Sequence, residues 1–304
     1  PMAEKEGYDK KFAAAVNIAS APTGLIIPPS GILIIYPVLA GCSVVGMIMS
    51  GYIPGLMWAL ACMVVAYVIA KKNHYPTAGK VPASVFFKYF VDAIPSLLLI
   101  VIIVGGVMSG IFTATESAAV AVAYTLFLSI VVYRSIKIKD LPKILLDACE
   151  TTAVIMFLIA GSNVMSFVMS FTGLPSAIGN ALISVSSNKY VILLIINLVL
   201  LVVGCFMDIT PAVLIFTPIF LPVVQSFGMD PIHFGIMMVM NLGIGNITPP
   251  VGSALFSGCS VADMDMEDMI KPILPFYAAI FVALMLVAYV PWFSMALPTL
   301  FGAV

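Results

Sequence analysis

Small polar residues interrupt long apolar stretches of this chain at places where a cation could bind. The clearest case is NLGIGNITPPVG, residues 241–252, which lies in the middle of an uncharged stretch from residue 234 to 262. Its glycines and paired prolines predict a broken helix, and a break leaves main-chain carbonyl and amide groups without partners. Exposed carbonyls favour a hard cation, and exposed amides at a helix end favour a carboxylate. The pattern therefore predicts binding of Na⁺ together with an anionic solute.

Side-chain oxygens accompany two such breaks and one turn. The turn, GCFMDITP at residues 204–211, carries one of only two carboxylates that lie well inside uncharged runs. In the second break and this turn, the predicted cation ligands are Asp208, Thr210, Gly245, Asn246 and Thr248. In the first break, GLIIPPSG at residues 24–31, they are Thr23, Gly24 and Pro28. The predicted solute contacts are Ser20, Ser30, Thr210 and Asn246. The alternative is that these residues only cap helix ends, and Asp208 could cap the helix that follows it.

The composition assigns the chain to the integral membrane proteins. It is 62% hydrophobic and only 9% charged, with a mean hydropathy of +1.17. Residues 12–70 and 272–304 contain no charged residue or histidine. About 20 apolar residues span a bilayer as a helix, so the expected fold is an all-α polytopic membrane protein. No nucleophile–base pair or phosphate-binding lysine motif is evident, so an enzyme is not expected.

Charged loops set the expected topology. The basic loops at residues 71–80 and 134–143 are predicted to be cytoplasmic by the positive-inside rule. Residues 190–226 are then predicted to form a re-entrant hairpin with arms of about 13 to 16 residues, too short to span. Residues 82–95 and 173–188 are predicted to be short interfacial helices that brace the bundle, with ordinary loops as the alternative. Glu116, in TATESAAV, is expected to cap a helix rather than to bind an ion.

An internal repeat relates the two broken helices. Residues 1–31 match residues 222–252 at an offset of 221, with glycines and prolines at equivalent positions. The motif GCSV recurs at 41–44 and 258–261, where the offset has fallen to 217. With the predicted topology, the copies are inverted, as in many secondary transporters. A hairpin equivalent to 190–226 would precede residue 1, so an N-terminal part is expected to be missing.

Several long motifs of the chain resemble the large membrane subunit of tripartite ATP-independent periplasmic (TRAP) transporters. They include GIFTATESAAVAVAY, FTPIFLPVV and GMDPIHFGIMMVMNLGIGNITPPVG, and the resemblance extends from residue 1 to about residue 298. It implies an inverted-repeat, elevator-type transporter of the bacterial inner membrane that uses Na⁺ to import C4-dicarboxylates, sialic acids or similar carboxylates. It also implies that Cys205 belongs to the second cation site.

The same resemblance implies domains and partners. Residues 1–70 and 189–304 would form the transport domain, and residues 80–188 the scaffold. The expected partners are a periplasmic substrate-binding protein, a small four-helix membrane subunit that is sometimes fused to the large one, the carboxylate solute and membrane lipid, with no nucleic acid. The alternatives are an ion channel or passive pore and a proton-coupled organic-anion transporter. Channels usually carry pore-lining rings, and no filter-like motif is seen.

Overall fold

A computed structural model describes residues 2–76, 82–108, 111–173, 177–178, 181, 184, 186 and 188–303 of the chain. Within these residues the regular structure is helical, with no strand. The main helices are α1 (Met2–Lys5), α2 (Lys10–Ser20), α3 (Thr23–Ile26), α4 (Ile32–Ala40), α5 (Val44–Ser50), α6 (Tyr52–Lys72), α7 (Ala83–Met108), α8 (Ala114–Phe127), α9 (Leu141–Thr172), α10 (Lys189–Phe206), α11 (Ile209–Ser226), α12 (Pro231–Asn246), α13 (Ser253–Val261), α14 (Met266–Tyr289) and α15 (Trp292–Leu300).

Several helices are suited to cross a bilayer. In the described part of the chain, six helical segments are long and apolar enough to do so. They are Val44–Lys72, Thr115–Val132, Ile138–Gly161, Lys189–Phe206, Ile209–Ser226 and Met266–Tyr289. Together with the helical fold they confirm the prediction of an all-α polytopic membrane protein.

The chain divides into two compact units. One comprises Pro1–Pro76 and Ser162–Val304, and the other comprises Thr77–Gly161. Both broken helices and the predicted hairpin belong to the first unit. The assignment of a transport domain to residues 1–70 and 189–304, and of a scaffold to 80–188, stays a prediction.

The repeat is present in the backbone of the first unit. Asp9 and Asp230 each cap the N-terminus of a helix, accepting from the amides of Phe12 and Ile232. The second half-helices, Ile32–Ala40 and Ser253–Val261, have nine residues each and also differ by 221 positions. Both proline pairs, Pro28–Pro29 and Pro249–Pro250, contain a cis peptide bond. The breaks predicted at residues 24–31 and 241–252 are therefore confirmed, although the first one also contains the short helix α3.

The structure corrects two details of the repeat and its hairpin. GCSV does not have equivalent positions in the two copies: residues 258–261 end α13, whereas Gly41 ends α4 in the left-handed region and Ser43 caps α5. The offset of 221 therefore continues through the second half-helix, and the offset of 217 is wrong there. The arms of the predicted hairpin, α10 and α11, have 18 residues each, longer than predicted. Both are long and apolar enough to cross a bilayer, so the prediction that they are too short to span is wrong, and re-entry stays a prediction. Prolines 218 and 222 lie inside α11 without ending it.

The second unit contains the pair α7 and α8. The prediction for Glu116 is confirmed: Thr113 and Glu116 form a reciprocal capping box at the start of α8. The Tyr124 hydroxyl donates to the Pro95 carbonyl at 2.8 Å, which joins α8 to the middle of α7. The prediction of a separate short helix in this region is wrong. Residues 83–95 belong to α7, which continues through Pro95 to Met108. Most of the second predicted bracing segment, residues 173–188, lies outside the described residues.

Candidate functional site

Glycines allow the hairpin and the second broken helix to approach closely. A Cβ atom added to Gly245 on α12 would lie 2.5 Å from the main-chain carbon of Gly204 on α10. A Cβ atom added to Gly204 would lie 3.1 Å from the Cα atom of Gly245. Contacts this short leave no room for a side chain at Gly245, so the two helix backbones touch directly at this crossing. The crossing brings the end of α10 beside the break that follows α12.

Main-chain hydrogen bonds then connect the hairpin to the break itself. The Cys205 carbonyl accepts from the amides of Val251 and Gly252 at 3.3 and 3.2 Å. Gly252 has a φ of 40°, and a Cβ atom there would lie 2.7 Å from the Thr248 carbonyl oxygen. A glycine is therefore required both by the backbone angle and by the space. These bonds fix the end of α10 against the start of α13.

Three side-chain oxygens converge where the hairpin meets the break. The Ser253 hydroxyl oxygen lies 2.5 Å from Asp208 Oδ1 and 2.5 Å from Asn246 Oδ1. The Ala254 amide donates to the same Asn246 oxygen at 3.4 Å, which orients that oxygen toward Ser253. A hydroxyl has one proton and cannot donate to both neighbours. It therefore donates to one of them, and because Asn246 Oδ1 also accepts from Ala254, the hydroxyl proton is available to Asp208. Three side-chain oxygens from separate segments thus lie together, an arrangement that can bind a hard cation.

The Asp208 side chain takes part in this cluster and does not cap α11, the helix that follows it. It occupies the N-cap position of α11, but its side chain makes no cap hydrogen bond. Its carboxylate accepts from Ser253, across the gap between the hairpin and the second break. Asn246 is buried, whereas Asp208 is exposed. Thr210 lies half-buried in the first turn of α11.

Other carbonyls near the second break already have donors. The Thr248 hydroxyl donates to the Ile244 carbonyl at 2.6 Å, and its amide donates to the Gly245 carbonyl at 2.9 Å. The Tyr277 hydroxyl, on α14, donates to the Ile247 carbonyl. The break is thus held by side chains of its own helix and of α14.

The predicted residues of the first break bind their own backbone. The hydroxyl of Ser20 donates to the Asn17 carbonyl at 3.1 Å, and that of Ser30 donates to the Leu25 carbonyl at 2.6 Å. The Gly24 amide donates to the Ala21 carbonyl, and Thr23 Oγ1 is buried without a hydrogen-bond partner. Pro28 is buried at the cis bond. The side-chain cluster of the second break thus has no counterpart in these contacts, and the first-site assignments stay predictions.

The two breaks lie next to each other in the first unit. A Cβ atom on Gly243 would lie 3.3 Å from the Pro22 side chain and 3.6 Å from the ring of Trp58. The indole nitrogen of Trp58 in turn donates to the Ala19 carbonyl at 2.9 Å, near the end of α2. The end of α2 and the start of the first break therefore lie beside α12, within one compact unit.

Three residues that contact the second broken helix or the oxygen cluster were not predicted from the sequence. Ser253 completes the oxygen cluster, and it directly follows TPPVG, where a half-helix begins. Tyr277 lies in a long apolar helix with no local signal of its contact. Asn197 contacts Asn241 where α10 crosses α12. The signal that could have identified it is a single asparagine in an otherwise apolar helix.

The donor set is not that of a transition-metal site. Among the described residues, no group of three or more histidine, cysteine, aspartate or glutamate side chains could hold a metal ion. The cluster combines one carboxylate with amide and hydroxyl oxygens, which suits a hard cation.

These features define a polytopic helical membrane protein in which a helical pair packs against the second of two broken helices. The chain matches the family described as "Tripartite ATP-independent periplasmic transporter, DctM component" over residues 1–293, and it belongs to that family. It is therefore a TRAP large membrane subunit, a multi-pass protein of the inner membrane, and not an enzyme.

Curated relatives agree with this assignment. The chain is 50% identical over 303 residues, 99% of its length and 69% of the relative, to "Uncharacterized protein YgiK" of Salmonella typhimurium. It is 37% identical to the "C4-dicarboxylate TRAP transporter large permease protein DctM" of Pseudomonas aeruginosa, covering 98% of this chain and 70% of the relative. It is 39% identical to the "Sialic acid TRAP transporter large permease protein SiaM" of Vibrio cholerae, covering 97% and 69%.

Proposed function

We propose that this chain is the membrane transport subunit of a sodium-coupled importer of carboxylate-bearing solutes. The observation that carries the proposal is the convergence of three side-chain oxygens, from Asp208, Asn246 and Ser253, where the hairpin meets the second break. A cation of about the size of Na⁺ would bind there between the hairpin and the second broken helix. The site would then form only when the hairpin and the second broken helix are in contact. Cation binding and this contact would therefore stabilise each other.

Cysteine 205 and the glycine crossing support the cation site indirectly. The Cys205 carbonyl and the Gly204–Gly245 crossing hold the ligand-bearing segments together. Gly245 and Thr248 would add main-chain or hydroxyl oxygens, and Thr210 would face the same region from α11. The first break, with Thr23, Gly24 and Pro28, would serve a second cation. This is the general arrangement of broken helices in secondary transporters.

The solute class follows from the chemistry of the centre and from the relatives' names. C4-dicarboxylates and sialic acid, named for two relatives, both carry carboxylates. No lysine or arginine lies in residues 12–70 or 234–262 to bind such an anion. Free main-chain amides, the hydroxyls of Ser20, Ser30 and Thr210, the Asn246 amide and a bound Na⁺ would do so instead. The coupling would be direct, because the bound cation would neutralise the solute.

The proposed partners are a periplasmic substrate-binding protein and a small membrane subunit, separate or fused. The proposed mechanism is an elevator. Both breaks and the helical pair belong to one compact unit, as is required of a site that moves as a whole.

Uptake in proteoliposomes tests this function. The full-length protein is reconstituted with its small subunit, and radiolabelled succinate or sialic acid is supplied on the cognate binding protein with and without an inward Na⁺ gradient. The expected result is uptake that needs both the Na⁺ gradient and the binding protein.

Other outcomes would point to other functions. Uptake that follows a proton gradient and ignores Na⁺ would establish a proton-coupled anion transporter. Passive equilibration of solute without any gradient would establish a pore. Uptake that ignores the binding protein would contradict the proposed partner.

A further inference from the structure

A buried pair of asparagines joins the hairpin to the second broken helix. Asn197 on α10 is 2% exposed, and Asn241 on α12 is 1% exposed. The Asn241 side-chain amide donates to the Asn197 side-chain oxygen at 2.6 Å and to the Asn197 main-chain oxygen at 2.9 Å. The Asn197 amide donates to the Leu193 carbonyl at 2.8 Å and lies 3.5 Å from the sulfur of Met237.

This pair is poorly explained by stability alone. Asn241 Oδ1 is buried and has no hydrogen-bond partner in the structure. A buried acceptor without a partner is unfavourable, and two apolar side chains of similar shape would fill the same space without that cost. Buried polar pairs between helices are better known for selecting one register of packing over its neighbours.

The register matters because of what lies further along the same two helices. Asn197 precedes Gly204 by two helical turns on α10, and Asn241 precedes Gly245 by about one turn on α12. The crossing at the glycines then places Asp208 beside Ser253 and Asn246. A slip of either helix along the other would separate the asparagines and draw the three oxygens apart.

We infer that Asn197 and Asn241 are positioning residues that set the register of α10 on α12 and so assemble the cation site. The inference rests on the proposed sodium site, but the geometry that it concerns can be measured without sodium. Among the described residues, the side-chain hydrogen bonds of this pair go to Leu193, Met237 and each other and not to the oxygen cluster, so their effect would be exerted through the helix crossing.

A cross-linking experiment tests the register. In a full-length protein whose native cysteines are replaced by alanine, Asp208→Cys and Ser253→Cys are introduced together. A short bifunctional methanethiosulfonate should then join these positions. In the background of Asn197→Leu with Asn241→Leu, the yield of cross-link is expected to fall about threefold or more, while thermal unfolding stays close to that of the parent.

Two further variants make the outcome decisive. Asn17→Leu is the matched control, because Asn17 is exposed and its side chain bonds only within α2, to the Ala13 carbonyl at 2.9 Å; it should leave the yield unchanged. Asn197→Ser replaces the side-chain amide by a shorter hydroxyl but keeps the main-chain acceptor, and it serves if the double leucine variant does not fold. Full cross-linking in every folded Asn197 and Asn241 variant would overturn the inference.

The sodium dependence of uptake gives the second reading. With native Asp208 and Ser253, the double leucine variant should need about fivefold more Na⁺ for half-maximal uptake. Wild-type uptake that ignores Na⁺ would refute the proposed function, whereas the cross-linking result would still decide whether the asparagine pair sets the register.

Discussion

Gly204 and Gly245 meet with their backbones in contact at the crossing of α10 and α12. The space between them admits no methyl group at Gly245, since its Cβ atom would lie 2.5 Å from both the Cα and carbonyl carbon of Gly204. The polar cluster depends on this approach, because Asp208 follows Gly204 by four residues and Asn246 follows Gly245 directly. The geometry of the proposed cation site is therefore set partly by atoms that cannot bind a cation.

Replacing Gly245 by alanine should abolish solute uptake. The added methyl group meets main-chain atoms, which cannot move aside as a flexible side chain can, so α10 and α12 must separate. Uptake in proteoliposomes measures the effect. Gly161→Ala is the matched control, because in the part of the chain that the structure describes nothing lies within 4 Å of a Cβ atom at Gly161 on α9. Normal uptake by Gly245→Ala would show that the crossing is not needed for transport.

Removal of the Ser253 hydroxyl should weaken the proposed sodium site without unfolding the protein. Ser253→Ala deletes the oxygen that lies between Asp208 and Asn246. The Na⁺ concentration for half-maximal uptake should rise about tenfold, which corresponds to ~1.4 kcal/mol. Ser257→Ala, one turn further along α13 and exposed, should leave it unchanged. Equal sodium dependence in both variants would remove Ser253 from the site.

The charge of Asp208 should contribute more than its shape. Asp208→Asn keeps a side-chain oxygen but removes the negative charge that a cation would neutralise. We expect a rise of about tenfold or more in the half-maximal Na⁺ concentration, limited by solvent screening of this exposed carboxylate. Because Asp208 and Ser253 share a hydrogen bond, the effects of Asp208→Asn and Ser253→Ala should not add in the double variant. Strict additivity in Na⁺ titrations of uptake would argue against a shared site.

The sequence predicts the breaks because glycine and proline act on the backbone locally. The paired prolines and nearby glycines recur at a constant offset, and both breaks are found where that offset places them. The hairpin turn is also predicted correctly, since Met207 and Asp208 separate two helices. The lengths of the arms were harder to predict, because nothing in an apolar stretch marks where a buried helix stops.

Contacts between distant segments explain most of what the sequence does not predict. Ser253 and Asp208 are 45 residues apart, and Tyr277 and Ile247 are 30 apart. Their pairing depends on how α10, α12 and α14 pack, which local pattern does not encode. The GCSV motif led to a wrong alignment of the repeat. Its two copies have the same residues, but one copy ends a helix and the other connects two helices. An identical stretch of four residues is therefore weaker evidence for structural equivalence than a longer pattern of glycines and prolines that recurs at a constant offset.

Tyr277 should influence sodium affinity although its hydroxyl binds a carbonyl and not the cation. Its hydroxyl donates to the carbonyl of Ile247, at the start of the second break, and holds that part of the backbone against α14. Tyr277→Phe leaves the carbonyl without this donor, and a lost hydrogen bond of this kind has an effect of about 1 kcal/mol. Because Ile247 lies between Asn246 and Thr248, the loosened backbone should disturb both. The half-maximal Na⁺ concentration for uptake should rise about threefold to tenfold.

A second tyrosine on α14 serves as the control. It tests whether the change in sodium dependence is specific to Tyr277 or follows the loss of any tyrosine hydroxyl. Tyr289 lies on the same helix, and its hydroxyl donates to the Tyr190 carbonyl at 3.2 Å, at an exposed position away from the break. Tyr289→Phe should leave the sodium dependence unchanged. If the two phenylalanine variants respond to Na⁺ alike, Tyr277 contributes only packing, and the geometry of the break must be held by the Cys205 carbonyl and the Thr248 hydroxyl instead. If only Tyr277→Phe shifts the curve, α14 takes part in shaping the proposed cation site, in addition to the segments that carry Asp208, Asn246 and Ser253.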